Sequence, residues 1–289
     1  MHITALTATN LNPKYLSCAI HFVNFWLDQS PSDSNNYKPL VIVVAQEFPD
    51  ELISIRDYCV VFNPPGGLSD VFVSQFVRAL YAPLVRSDLV LTTDVDMFPL
   101  SLKMFSYVLS SSPEPLSTFH VCRDVLAKGQ YAICYNLASP KVWSQVTGIV
   151  SIADVSNTLL SEFSKAYEQN NGYAEDHGAV GWFSDQEFLF NSVDRYEEEA
   201  RGSVLRFTDK ETQHSRLDRA FTSFPSKWFL LPLVALDVMT DYHVHHPVER
   251  NQRYISAVYF NVRLKKALKN LFHRPSQRQD KKQSRSLIL

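Results

Sequence analysis

Residues 40–45 read Leu-Val-Ile-Val-Val-Ala, six apolar positions with no polar alternation. In extended chain successive side chains point to opposite sides, so this run needs both faces of its sheet covered. That requirement disfavours a sheet washed by solvent on one side and asks for helices above and below. The flanking pattern supplies them. Ile3–Ala8 reads as a first strand, and Asn12–Leu27 as a helix with Asn12 as cap and Pro13 at its first position. Ser30–Tyr37 reads as a loop. Tyr58–Phe62 reads as a third strand, followed by the turn Asn63-Pro-Pro-Gly-Gly67. Over Ser69–Val85 the residues Phe72, Phe76, Leu80 and Leu84 recur every four positions, which predicts a helix capped by Ser69 or Asp70. Leu89, Val90 and Leu91 begin another buried strand. The alternation predicts an α/β fold: a mostly parallel central sheet flanked by helices, with right-handed crossovers. Ligands of such sheets bind outside the carboxyl ends of the strands.

Past residue 100 the pattern loosens. Helices are expected near Leu102–Leu109, Val155–Glu168 and Asp185–Ser192, and strands near Thr118–Cys122 and Tyr131–Tyr135. A glycine-bearing loop is expected at 170–181. No internal repeat is visible, so the second half reads as an extension of the same sheet. The expected organisation is one domain over 1–250, then a C-terminal helix and a basic, partly disordered tail over 251–289. Within that end, Leu264, Leu268 and Leu271 share a helical face, and the composition after Pro275 is that of a disordered segment.

At 45% hydrophobic residues, a core can form without disulfides or metal staples. Cys18, Cys59, Cys122 and Cys134 show no C-x-x-C spacing, which fits free thiols in a reducing compartment. No stretch approaches the roughly 20 apolar residues of a membrane span. The start reads as a strand, not a signal peptide, and the expected location is the cytoplasm. From Arg263 onward nine Lys or Arg stand against the single acid Asp280, so the body is acidic. An acidic body argues against a nucleic-acid partner, and the basic tail offers a weak contact with an anionic membrane surface.

The strand at residue 89 runs into Thr92-Thr93-Asp94-Val95-Asp96. In extended chain Asp94 and Asp96 face one way, roughly 6–7 Å apart. Two such carboxylates repel unless a positive charge sits between them, and Mn²⁺ or Mg²⁺ shared with substrate phosphates supplies it. His243, His245 and His246 crowd into four residues; on a strand the first two share a face and His246 points away. Arg78, on the flank of an otherwise apolar helix, suits a diphosphate, an aspartate or a surface ion pair. Thr7, Thr9 and Asn10 close the first strand, where short polar side chains suit a ligand or an ordinary turn and helix cap.

Taken in order, these segments resemble the GT-A class of nucleotide-sugar glycosyltransferases, and within it the retaining galactosyl/glucosyl-transfer group. The matching stretches are Gln75-Phe-Val-Arg78 leading to Asp94-Val-Asp96 (the family's DxD), Tyr131–Trp143 around Asn136, Phe183-Ser-Asp185-Gln186, and Asp241-Tyr-His243-Val-His-His-Pro247. Two departures stand out: Leu137-Ala138 replaces the usual Ser-Gly pair, and the closing His segment lacks the usual Gly and Lys. The resemblance implies a metal held by Asp94, Asp96 and His243. It implies donor contacts from Thr7, Thr9, Asn10, Arg78 and Asp94, acceptor contacts from Asn136, Trp182 and Gln186, and catalytic roles for Asp185 and Arg78. Asp185 follows a loop bearing Gly172, Gly178 and Gly181. It would deprotonate the acceptor in an inverting enzyme, position acceptor or sugar in a retaining one, or simply cap a helix with Ser184. The implied activity is metal-dependent transfer of a sugar from a nucleoside diphosphate, UDP above all, to a hydroxyl of a glycan or other acceptor.

Two other readings compete. HAD-type phosphatases also place an Asp-x-Asp after a strand, but near the chain start and followed by Thr or Val where this chain has Phe98. A catalytically silent GT-A-like carbohydrate-binding protein would not need Asp94, Asp96 and His243 together.

Overall fold

A computed structural model describes residues 1–29, 35–123, 129–170, 173, 174, 178, 180–219, 225–244 and 246–272. A seven-stranded sheet forms its centre. β1 (His2–Asn10) runs parallel to β2 (Asn36–Val44) on one side and to β4 (Leu89–Thr92) on the other. β3 (Cys59–Phe62) continues the parallel run beyond β2. Past β4 the direction reverses: β7 (Asn136–Ala138) is antiparallel to β4 and to β6 (Phe119–Val121), and β8 (Val204–Arg206) is parallel to β6. The sheet is mostly parallel, as the sequence predicts.

Each central strand sends alternate side chains into two separate cores. Ile3, Ala5, Val41, Val43, Leu89 and Leu91 meet α1 (Pro13–Gln29), α3 (Lys103–Ser111) and α8 (Val248–Phe272) through Phe22, Trp26, Phe105 and Val258. Leu6, Ala8, Ile42, Val44 and Val90 meet α2 (Asp70–Tyr81), α4 (Pro140–Thr147), α5 (Ile152–Asn170) and α6 (Ser184–Glu199) through Phe72, Phe76, Trp143, Leu159 and Val193. Each fully buried Phe contributes roughly 2–3 kcal/mol. The unbroken apolar run at 40–45 is thus explained by cover on both faces.

Local signals set the ends of several elements. Asn12 Oδ1 accepts from the Lys14 amide at the start of α1, and Ser69 Oγ from the Phe72 amide at the start of α2. α2 stops at Tyr81 and passes through a 3₁₀ turn to Leu84, so the expected helix to Val85 is cut short by Pro83.

Two expectations need correction. Tyr131–Tyr135 is not a strand: Tyr135 adopts a left-handed φ of 66°, and its amide donates to the Thr92 carbonyl at 2.6 Å. The strand begins only at Asn136. Secondly, the second half does not simply extend one sheet. β5 (Met97–Pro99), β10 (Asp241–His243) and β9 (Arg216–Leu217) form a three-stranded sheet of their own, in the order β5-β10-β9. The C-terminal helix α8 runs from Val248 and buries Tyr254, Ile255, Val258 and Val262, while Leu264 and Leu268 stay exposed. A short α7 (Leu231–Ala235) leads into β10. The basic tail from His273 lies outside the described residues, as do His245 and Gly172. No helix among the described residues is long and apolar enough to cross a membrane.

Candidate active site

Asp94 and Asp96 sit where the two sheets join. β4 ends at Thr92, and the Thr93 amide donates to Leu6 O of β1 at 2.9 Å, which holds this end against the large sheet. The chain then turns, with the Met97 amide donating to Asp94 O at 3.1 Å, and enters β5 of the small sheet. Asp96 O accepts from the Val244 amide at 2.9 Å, tying this residue to the end of β10. The segment is a turn, not extended chain, so the expectation that both carboxylates face one way does not hold. Asp94 pairs with Arg78, and Asp96 meets two histidines.

Arg78 lies on the flank of α2, off the stripe of Phe72, Phe76 and Leu80. Its Nε donates to Gln75 O at 3.1 Å and its Nη1 to Thr93 O at 3.3 Å. Nη1 also pairs with Asp94 Oδ1, and Nη2 lies 3.5 Å from Asp185 Oδ2. One guanidinium therefore gathers the end of β4, the acid turn and the start of α6. Asp185 is buried, and its Oδ1 accepts from the Gln186 amide at 2.9 Å. Burial pushes its carboxyl up to about 6, with Arg78 opposing and Asp94 adding to the rise. Ser184 does not cap α6; its hydroxyl donates to Gly181 O at 2.7 Å.

His243 Nε2 lies 3.4 Å from Asp96 Oδ2, and His246 Nε2 lies 3.1 Å from the same oxygen. The placement of His246 corrects the sequence reading. β10 ends at His243, so the alternation that would turn His246 away no longer applies three residues later. Its Nδ1 faces the buried Cys18 Sγ at 4.0 Å. Asp218, absent from the sequence reading, stands 3.5 Å from His243 Nδ1. Burial alone would raise the Asp96 carboxyl, but the two imidazoles overcome it and hold Asp96 below the usual carboxylate range.

No three His, Cys, Asp or Glu side chains among the described residues already gather into a metal-holding group. The pair spacings are nevertheless those of neighbouring ligands. Atoms about 2.1 Å from a cation and at right angles lie about 3 Å apart. Two nitrogens converging on one carboxylate oxygen meet that spacing, and a carboxylate–imidazole set suits Mn²⁺ or a related ion. The residues fit such an ion, with Asp94 available only if Arg78 shares it.

The remaining sequence candidates are scattered. Thr7, Thr9 and Asn10 are buried at the end of β1. Thr9 Oγ1 donates to Asn10 O and Asn10 Oδ1 accepts from the Asn12 amide, so these two serve the turn into α1. Thr7 Oγ1 is buried without a hydrogen-bond partner. Asn136 is wholly buried, and its Nδ2 donates to Ala132 O at 2.7 Å and Ile133 O at 2.9 Å. It closes the turn that the sequence suggested as a strand, while its Oδ1 is buried without a hydrogen-bond partner. Trp182 lines an open pocket of about 280 Å³ with Phe183, Ser184 and Glu187, and Gln186 is half-buried beside it with its Oε1 lacking a hydrogen-bond partner. Gly181, at φ 79°, borders this pocket; a Cβ there would stand 2.9 Å from the Tyr173 ring.

A second charged group escaped the sequence reading. Arg123 donates from Nε and Nη2 to Asp209, His214 lies between Asp209 (3.5 Å) and Asp241 (3.1 Å), and Arg216 donates to Asp241. Asp241 begins the strand that carries His243. Burial disfavours a charged His214, but the two carboxylates outweigh it and raise its pKa.

No family model and no curated protein sequence matches the chain. Three solved glycosyltransferase structures are similar to it. The glycosyltransferase GlyE of Streptococcus pneumoniae TIGR4 is 13% identical with a TM-score of 0.46, over 94% of this chain and 63% of that one. Mouse xyloside xylosyltransferase 1 in its apo form is 8% identical with a TM-score of 0.43, over 85% and 97%. A glycosyltransferase involved in glycosylation of the major capsid of PBCV-1 is 10% identical with a TM-score of 0.40, over 92% and 100%. The chain thus spans less than two thirds of the GlyE chain it matches. At these scores the likeness is one of general layout, and no feature of the site rests on it.

Proposed function

We propose that this chain transfers a glycosyl group from a nucleoside diphosphate sugar, UDP-linked above all, to an acceptor hydroxyl. One observation carries the reading: at the carboxyl end of a central parallel strand, a tight turn presents Asp94 to a guanidinium and Asp96 to two imidazoles. Asp96, His243 and His246, with Asp94, would hold a divalent cation. When bound, that ion would offset the negative charge that builds on the departing diphosphate. Arg78, already shared between Asp94 and Asp185, can turn a guanidinium edge to phosphate oxygens without leaving α2. Asp185, with its carboxyl near 6, is suited to accept a hydrogen bond or a proton from a sugar hydroxyl. Trp182 and Phe183 border an open pocket beside it that suits the apolar face of a sugar ring.

The test is calorimetry with UDP-, GDP- and dTDP-sugars, in Mn²⁺ and in excess EDTA. Saturable binding of a UDP-sugar that vanishes in EDTA is expected. Equal affinity in both conditions would remove the metal from the reading, and no binding of any sugar nucleotide would remove the donor.

A further inference from the structure

The C-terminal end of the molecule carries an apolar surface that the proposed site does not use. Phe229 is 80% exposed, Leu236 71% and Phe260 65%, with Trp228, Leu264 and Leu268 also exposed. Two contacts place Trp228 and Leu236 beside α8. The Trp228 ring stands edge-on to Tyr254 of α8 at 5.5 Å. Asp237, next to Leu236, accepts from Lys265 Nζ of α8 at 2.9 Å and pairs with Lys103 at 2.8 Å. The segment 225–238 therefore lies along one flank of α8, between Tyr254 and Lys265. By the 3.6-residue period, Leu268, Leu264 and Phe260 stand about 50°, 90° and 130° round the helix from the Tyr254–Lys265 side, stepping onto its outer surface. A core element would bury such a stripe; here it faces out.

The charge around this surface selects its occupant. Among the described residues from Pro225 on, seven Lys or Arg stand against three acids, and the rest of the chain has the opposite balance. Two of those acids, Asp237 and Asp241, are already held in ion pairs, as are the bases Lys265 and Arg263, which leaves Arg250, Arg253 and Lys266 among the bases with described side chains. Arg253 is exposed two turns before Phe260 on the same outer side. A second copy docking here would bring two cationic ends together, which electrostatics opposes. An anionic bilayer answers both features at once. Trp, Phe and Leu enter the boundary between headgroups and acyl chains, and the surrounding Lys and Arg are drawn to the anionic headgroups. We propose that the face formed by residues 228–238 and the outer side of α8 docks on an anionic phospholipid surface, reversibly and without spanning it.

The test is co-sedimentation of the full chain with vesicles of phosphatidylcholine alone, and with one third phosphatidylglycerol, at low and moderate salt. The expected result is binding at least about tenfold tighter to the anionic vesicles, weakening as salt rises. Phe229→Ser combined with Leu236→Ser should reduce it by about tenfold or more. Both side chains are mostly exposed, so far-UV circular dichroism and the urea midpoint should match the parent. Three outcomes would overturn the proposal. One is equal binding to both vesicle types, or none. Another is a double variant that binds like the parent while removal of 273–289 abolishes binding, which would make the tail alone the tether. The third is a vesicle-free dimer in sedimentation velocity that the double variant dissolves, which would make the occupant a second copy.

Discussion

Replacing Asp185 with Asn isolates the cost of a buried carboxylate, because its two neighbours pull in opposite directions. Burial raises its pKa from an ordinary 3.8 to about 6, while Arg78 at 3.5 Å pulls it down. Arg78 loses that contest because its closer contact goes to Asp94. A pKa raised on folding means that the native state holds the proton more tightly than the unfolded chain. Between pH 4 and 6 the folded form therefore binds more protons, and stability falls as pH rises through that window. Over the whole shift the loss is roughly 3 kcal/mol, at 1.36 kcal/mol per pH unit. Below about pH 4 the group is protonated in both states and costs nothing; above about 6 the cost is fully present. Asp185→Asn has no such slope. Urea unfolding of both proteins from pH 4 to 7.5 should show the variant gaining up to about 3 kcal/mol on the parent, most of it between pH 4 and 6. Any constant offset from the altered contact with Arg78 drops out of this comparison. A difference that is flat with pH would refute the burial argument. A parent that gains on the variant as pH rises would show that Arg78, not burial, governs the carboxyl.

Further outcomes are expected at three places. His243→Ala and His246→Ala should each weaken Mn²⁺ binding by about tenfold or more in calorimetry, with the fold kept; a silent His246→Ala would break the shared Asp96 arrangement. Trp143→Ala should cost about 4 kcal/mol in urea unfolding, since a wholly buried ring and its Nε1 bond to Val90 O at 3.1 Å are lost together. Trp143→Phe should cost clearly less. Asp241→Asn should destabilise by about 3–5 kcal/mol, because it leaves Arg216 and His214 without their buried counter-charge.

The parallel half of the fold was legible because burial on both faces leaves an unbroken apolar signature, as at Leu40–Ala45. It failed at Tyr131–Tyr135 for a physical reason: those residues are buried and apolar, but Tyr135 turns left-handed and the Asn136 amide closes the turn. Pattern alone does not distinguish a buried turn from a buried strand. The helix at Pro140–Thr147 was there to be read, with Ser139 as cap, Pro140 at its first position and Gly148 ending it at φ 76°. In the candidate site, Asp94, Asp96, Arg78 and His243 were found from local pattern. His246 was missed by extending strand alternation past the strand. The chain from Arg123 to Arg216 was invisible because its members come from three separate stretches, at Arg123, 209–216 and Asp241.

The position of the acid pair between two sheets has a mechanical consequence. Asp94 moves with the large sheet through Arg78 and the hydrogen bond from Thr93 to Leu6, and Asp96 moves with the small one through His243, His246 and Val244. Anything that grips both carboxylates acts as a clasp across a seam. Tension from either sheet is felt as a change in the gap between two oxygens, and a bound ligand would stiffen the seam in return. The single residue between the two halves of the clasp, Val95, is buried in the core beneath α1 and α8, so the seam is anchored from within as well as from either sheet.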